Sequence, residues 1–236
     1  MIQVGTATRL GASVLSGAGL VKSYGQNTVL HEAAIGVAGG ESVAVMGPSG
    51  SGKSTLLYCL AGVVMPDRGE VVFRGARVDM LSDARRAELR RSAFGFVFQF
   101  PGLLPELSAQ ENVALPLLLA GIHRRDAVHR ARELFPRLGL DGLERRRPGQ
   151  LSGGQAQRVG IARALVHEPA VVFADEPTGA LDTETGDEVL SLLVSLVLDR
   201  GAALVVVTHD QRVARRCDRT VSVVDGRTLS QRESES

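Results

Sequence analysis

The chain has no tryptophan, two tyrosines and seven phenylalanines, so aromatics make up only 4% of its 236 residues. A protein that stacks unpaired bases needs an aromatic platform, and this composition offers little to build one, so no nucleic-acid partner is expected. Cysteine is equally scarce. Cys59 and Cys217 make no disulfide framework and suit a reducing compartment. Charge of one sign is missing too: 27 basic and 26 acidic side chains leave a formal charge of +1, which removes any global field toward nucleic acid or anionic lipid. The longest apolar run, Val113 to Ile122, contains Pro116 and reaches about half of the ~20 residues that span a bilayer, so no transmembrane helix is expected. Arg9 interrupts the apolar region a signal peptide would need, and the small residues from Gly5 to Gly19 show no strong period. Residues 1–18 therefore read as a mostly flexible extension. Lysine is the rarest cation. Lys22 and Lys53 are the only two among the 27 basic residues, so a lysine here is a specific choice.

What is present is ordinary for a folded globular chain: 44% hydrophobic and 22% charged residues, with enough length to bury a core without disulfide or metal staples. Apolar runs that read as strands are Ser42–Met46, Val71–Phe73, Phe94–Phe98, Ala170–Ala174, Ala203–Val207 and Thr220–Val224. Helical stretches follow Lys53, Ser108, Ser152 and Thr183. In the last of these Val189, Leu192, Leu193, Leu196 and Val197 recur on one helical face. Continuous apolar strands alternating with amphipathic helices imply an α/β fold around a buried parallel sheet. Strand signals vanish between Ser108 and Arg163, which points to a helical insertion. Within it, residues 121–150 hold eight arginines against Asp126, Glu133, Asp141 and Glu144, read here as a solvated face in an arginine-favouring sequence.

After the run Ser42–Met46 comes Gly47-Pro48-Ser49-Gly50-Ser51-Gly52-Lys53-Ser54-Thr55, the G-x-x-x-x-G-K-[ST] pattern between a strand and an apolar helix, Leu56 to Ala61. Glycines let successive backbone N–H groups point inward at an anion, and the helix start adds its positive dipole end. Lys53 is the expected charge partner of the β- and γ-phosphates, and the Ser54 hydroxyl the expected Mg²⁺ ligand. A second piece ends the run Ala170–Ala174 with Asp175-Glu176. There a buried strand delivers two carboxylates to the carboxyl edge of the sheet, one suited to hold Mg²⁺ and the other to act as general base on water.

Leu151-Ser152-Gly153-Gly154-Gln155, followed by Ala156-Gln157-Arg158, adds a good N-cap and two glycines at the start of another helix. With the phosphate loop and Asp175-Glu176 in this order, the chain from about Gly19 to Arg227 resembles the ATP-binding cassette ATPases, the nucleotide-binding subunits of ABC transporters. The resemblance implies a P-loop NTPase of the α/β class, with a RecA-like parallel-sheet core, an antiparallel β subdomain and an inserted all-helical signature subdomain. It implies domain limits at 19–228, a helical insertion at about 100–158 and a polar tail at 229–236. It further implies an ATPase using ATP and Mg²⁺, in which Ser152, Gly153, Gly154 and Gln155 meet the γ-phosphate held by the opposite subunit. By the same resemblance Tyr24 stacks on adenine, Gln99 touches Mg²⁺ and the attacking water, Asp182 lies in a loop crossing the dimer interface, and His209 hydrogen-bonds the γ-phosphate.

Phe94 to Pro105, Glu111-Asn112-Val113 and Ala174 to Asp182 are similar to the branch serving lipoprotein release, macrolide-type efflux and related export. Pro101-Gly102 departs from that branch, whose lipoprotein-release members tend to carry histidines there. The implied partners are a membrane permease on a separate chain and a second cassette, simplest as a homodimer. The implied place is the cytoplasmic face of the cell membrane. Leu103 and Leu104 are expected to be exposed on a groove that receives the permease. The alternative class is a soluble cassette ATPase acting on nucleic acid or ribosomes, but such members carry long coiled coils or two fused cassettes, and this chain has neither. Cys59 is expected to be buried and inert, and Cys217 to lie among Arg215, Arg216 and Arg219, which would lower its pKa.

Overall fold

The computed structural model describes residues 13–230. In chain order, β1 (Ser13–Tyr24) and β2 (Asn27–Ala38) form a hairpin, and β3 (Ser42–Met46) leads into α1 (Lys53–Leu60). Next come β4 (Arg68–Phe73), β5 (Ala76–Arg77), α2 (Asp83–Ala93) and β6 (Phe94–Phe98). Three α-helices follow with no strand between them, α3 (Ala109–Leu119), α4 (Arg124–Glu133) and α5 (Gly153–Leu165). The chain then returns to β7 (Val171–Asp175), α6 (Thr183–Leu198), β8 (Ala203–Val207), α7 (Gln211–Ala214), β9 (Arg219–Val224) and β10 (Arg227–Ser230).

The central sheet has the order β10-β9-β3-β8-β7-β6 and is parallel except for β10. Its inner strands β3, β7 and β8 are almost wholly apolar because both faces are covered. Along β8, Ala203, Val205 and Val207 face one core, while Leu204 and Val206 face the other. One core lies under the helices α3, α5 and α6; the other lies toward α1 and a second, antiparallel sheet of order β2-β1-β4-β5. Phe94 joins these parts, meeting Phe73 of the antiparallel sheet and Phe173 of β7 edge-on at 5.0 and 5.2 Å between ring centres. Such aromatic pairs add about 0.5–1.5 kcal/mol beyond the area they bury.

The boundary expected between residues 18 and 19 falls inside β1. Residues 1–12 of the expected extension lie outside the described residues, and Ser13–Ala18 are strand. The reason is the irregular pairing of β1. Its register with β2 shifts several times, and each bulge flips the in-and-out alternation that makes a strand legible. Its small residues answer to close packing, since a Cβ on Gly17 would stand 2.9 Å from Leu60 Cδ2 of α1. At the other end Leu229 and Ser230 belong to β10, so the expected tail begins two residues into a strand, and 231–236 lie outside the described residues. Helix α2 buries no side chain, which is why no apolar period announces it.

Helix α5 approaches β6 so closely that a Cβ on Gly95 would sit 2.4 Å from the Ala164 carbonyl oxygen. Gly95→Ala should therefore cost about 1–3 kcal/mol, the usual range for an overfilled core. Gly149→Ala, where an added Cβ meets nothing within 4 Å, should be near neutral. Urea unfolding midpoints of the two variants measure the difference.

Candidate functional site

The site lies at the carboxyl edge of the central sheet, where β3, β6, β7 and β8 all end. Between β3 and α1 the loop Gly47–Gly52 is walled at its two end glycines by neighbours that leave no room for a side chain. A Cβ on Gly47 (φ 155°) would stand 2.0 Å from the Val223 carbonyl oxygen, and one on Gly52 (φ 100°) 2.8 Å from that of Val29. The hairpin turn Asp225-Gly226 braces the same loop, with Gly226 N donating to Ser51 O and His31 N donating to Gly226 O. Helix α1 starts at Gly52 without a side-chain cap and without an acidic residue in its first turn, which preserves the positive end of its dipole. Lys53 is buried, and its ammonium donates to the carbonyls of Gly47 and Pro48 at 2.9 and 2.7 Å.

Asp175 closes β7 in register with Phe98 and Val207. Its Oδ1 accepts from Ser54 Oγ at 3.1 Å and its Oδ2 from the Tyr58 hydroxyl at 2.9 Å. Burial, together with that bond to the carboxylate, pushes the Tyr58 hydroxyl up to about 12. Glu176, one residue later, has the left-handed φ of 49°. Its N–H donates to the Val207 carbonyl, and its Oε1 meets His209 Nδ1 at 2.9 Å. The two adjacent carboxylates are thus turned to different neighbours, one to α1 and one to the residue that follows β8 and Thr208.

The other predicted residues occupy separate places around this centre. Tyr24 ends β1 half exposed, with the Lys22 ammonium 5.6 Å from its ring centre; Lys22 also pairs with Asp67 at 2.9 Å. The Lys22 ammonium and the Ser23 N–H hold the Asp67 carboxyl below the ordinary range. Gln99 follows β6 exposed, and lies so close to Gly179 that a Cβ there would stand 3.0 Å from Gln99 Nε2. Ser152 caps α5 through a reciprocal pair, Gln155 N to Ser152 Oγ and Ser152 N to Gln155 Oε1. Gly153 is exposed, while Gly154 packs against Thr185 of α6. Among the described residues the side chains of Ser152 and Gln155 bond to each other's backbone and not to the phosphate loop. Asp182 is the N-cap of α6, and bonds from Thr185 hold its carboxyl below the ordinary range.

Three residues with no role assigned from the sequence tie these pieces together. Tyr58 is one. Gln157 of α5 is fully buried, and its Nε2 donates to the Phe98 carbonyl at 2.8 Å and the Pro177 carbonyl at 2.7 Å, joining the chain after β6 to the chain after β7. Arg163, one and a half turns further along, gives its guanidinium to the carbonyls of Pro101 and Gly102, and Gly160 leaves room for Pro101. The motif Leu151–Arg158 contains Gln157, but nothing in a linear pattern says which carbonyls it will reach.

Two expectations are corrected. Leu103 is half-buried against the helical core, while Leu104 is 43% and Phe100 71% exposed, so the exposed apolar side chains after Gln99 are Phe100 and Leu104. Cys217 does not have a lowered pKa. Burial, with the Asp218 charge adding to it, pushes its thiol up to about 12, while Arg216 bonds Ser191, and Arg219 bonds Glu41 and the Gly36 carbonyl. Cys59 is buried, as expected.

Known proteins share this fold and much of this sequence. The ABC transporter family profile matches residues 30–179. The lipoprotein-releasing system ATP-binding protein LolD of Geobacter metallireducens is 47% identical over 223 residues, spanning 93% of this chain and 99% of that one. A dimeric post-hydrolysis structure of the cassette MJ0796, bound to ADP and Pi, superposes with a TM-score of 0.84 at 37% identity, covering 94% of this chain and 99% of that one. The cbiO1 subunit of Clostridium perfringens, part of the ABC transporter complex cbiONQ, is 30% identical with a TM-score of 0.83, over 92% of this chain and 87% of that one. The chain belongs to the ABC transporter ATP-binding family and is an ATP-hydrolysing subunit of an ABC transporter.

Proposed function

We propose that this chain is the ATPase of a lipoprotein-release or related export transporter, acting as a head-to-tail homodimer on a separate membrane permease. The observation that carries the hydrolytic part is the divergence of Asp175 and Glu176. Asp175 faces the Ser54 hydroxyl, and Glu176 faces His209. The hard oxygen donors Ser54 and Asp175, with Gln99 directly after the end of the adjoining strand β6, fit Mg²⁺, which takes one or two carboxylates plus substrate phosphates. When bound, that ion neutralises charge on the phosphates during transfer. Gly47, Ser49, Gly50, Ser51 and Gly52 offer backbone N–H groups to the phosphates, Pro48, which has none, shapes the turn, and Thr55 stands in the first turn of α1 beside them. Lys53 exchanges its two loop carbonyls for phosphate oxygens. Glu176 takes the proton of the attacking water, and His209 orients that carboxylate and reaches the γ-phosphate. Tyr24 offers its exposed ring to adenine, with Lys22 close to the ring.

The signature face supports the dimer reading. Ser152 and Gly153 are exposed at a capped helix start, and the side chains of Ser152 and Gln155 make no bond to the phosphate loop of their own chain. The dimeric structures of MJ0796 and the 47% identity to LolD favour the same assembly and a lipoprotein-releasing permease. No helix among the described residues is long and apolar enough to cross a membrane, so work must pass through a docking surface. The exposed Phe100 and Leu104, which follow Gln99 and are braced by Arg163, suit that surface.

Glu176→Gln should keep ATP binding but lose hydrolysis by about 10²–10⁴-fold, the usual contribution of a general base. Size-exclusion chromatography at saturating ATP should then show dimers, and a variant that stays monomeric counts against the sandwich. Mixing Lys53→Ala with Ser152→Arg subunits, each inactive alone, should restore part of the turnover, because one of the two composite sites in the heterodimer carries neither defect. Phe100→Asp with Leu104→Asp should weaken co-purification with the permease and abolish its stimulation of turnover, while ATP binding by the isolated chain is unchanged.

A further inference from the structure

We propose that Tyr58 is the positioning residue for the cation-binding carboxylate: its hydroxyl fixes the plane of Asp175 and keeps it fixed when Ser54 is recruited to the cation. This rests on the reading of Asp175 as a Mg²⁺ ligand. Ser54 and Tyr58 stand four residues apart on α1 and so share one face of the helix. Each hydroxyl takes a different oxygen of the same carboxylate, Ser54 Oγ at 3.1 Å from Oδ1 and Tyr58 OH at 2.9 Å from Oδ2. The backbone of Asp175 is already held between β6 and β8, so the remaining freedom is rotation of its side chain, and two bonds to two oxygens remove it. The Tyr58 ring packs against the core shared by the sheet and α1, which gives the hydroxyl a rigid base.

The two bonds differ in what happens to them. A Ser54 oxygen that turns its lone pair to a cation no longer donates to Asp175. Tyr58 touches only Oδ2 and is placed nowhere in the phosphate loop, so its bond can persist. Among the described contacts it is then the one side-chain donor left on Asp175. Hydrogen-bonding partners that orient metal ligands typically control about 10–100-fold of metal affinity. A tyrosine is also conspicuous at this position, since the whole chain has two, Tyr24 and Tyr58, and both lie at the candidate site.

The test uses the full chain and a fluorescent ATP analogue, titrated with Mg²⁺ and in EDTA, for the wild type, Tyr58→Phe and Asp175→Asn. Tyr58→Phe should raise the half-saturating Mg²⁺ concentration about tenfold and leave affinity in EDTA unchanged, because it removes an oriented donor and no nucleotide contact. A merely structural role would move both affinities together. If Asp175→Asn shifts the Mg²⁺ response to higher concentration and Tyr58→Phe leaves it in place, the role of Tyr58 is refuted while that of Asp175 stands. If Asp175→Asn leaves it in place as well, the carboxylate itself has been misassigned. Should Tyr58→Phe fail to fold, Tyr24→Phe leaves Tyr58 as the sole fluorophore of a tryptophan-free chain. Its emission, quenched by the carboxylate, should stay quenched when Mg²⁺ and ADP are added at saturation, and a rise to the level of free tyrosine would overturn the proposal.

Discussion

A left-handed backbone at one glutamate organises this site. Asp175 ends a strand in regular register, and continuing in the extended conformation would send the next side chain to the opposite face of the sheet. At Glu176 the chain instead takes φ 49°, with the N–H caught by the Val207 carbonyl of β8. A non-glycine residue in this region costs on the order of 1–3 kcal/mol, and such strain persists only where the surroundings impose it. Here they do. The bond to β8 fixes the turn, and His209, which follows β8, receives the carboxylate. The strain yields two carboxylates at one strand end with different partners, and on that separation rest the cation-binding and proton-accepting roles proposed for them.

Helix α5 extends this arrangement outward. Its first turn carries the signature residues, its buried Gln157 links the segments after β6 and β7, and its Arg163 grips Pro101 and Gly102. Burial keeps that guanidinium dependent on the two carbonyls, since no carboxylate bonds it among the described residues. Helix α5 is thus bonded both to the chain beside Gln99 and Asp175 and to the segment that presents the exposed Phe100 and Leu104. The departure at Pro101-Gly102 is matched on the helix by Gly160, where a Cβ would stand 2.9 Å from Pro101 Cβ.

Much of this was legible from residues alone, and what was not has physical reasons. The runs Ser42–Met46, Phe94–Phe98 and Ala203–Val207 coincide with β3, β6 and β8, because strands buried on both faces must be continuously apolar. The phosphate loop and Asp175-Glu176 were readable because their chemistry depends on residue type at fixed spacing. β1 was hidden by its bulges, α2 by a face that is only half-buried, through Leu89 and Ala93, and the apolar exposure of Phe100 over Leu103 by a loop that obeys no period. Tyr58 was hidden because its partner stands far along the sequence, and only the sheet brings the two together. Asp225-Gly226, a two-residue turn with both φ positive, is a hairpin signal in plain view that announces β10.

The division of labour between the two carboxylates is tested most directly by single-turnover hydrolysis in Asp175→Asn and Glu176→Gln across a range of Mg²⁺ concentrations. A lost cation ligand can be offset by mass action, whereas a lost base cannot. The rate of Asp175→Asn should climb toward that of the wild type as Mg²⁺ rises, and the rate of Glu176→Gln should stay flat at its low value. Equal responses of the two variants to Mg²⁺ would contradict the account.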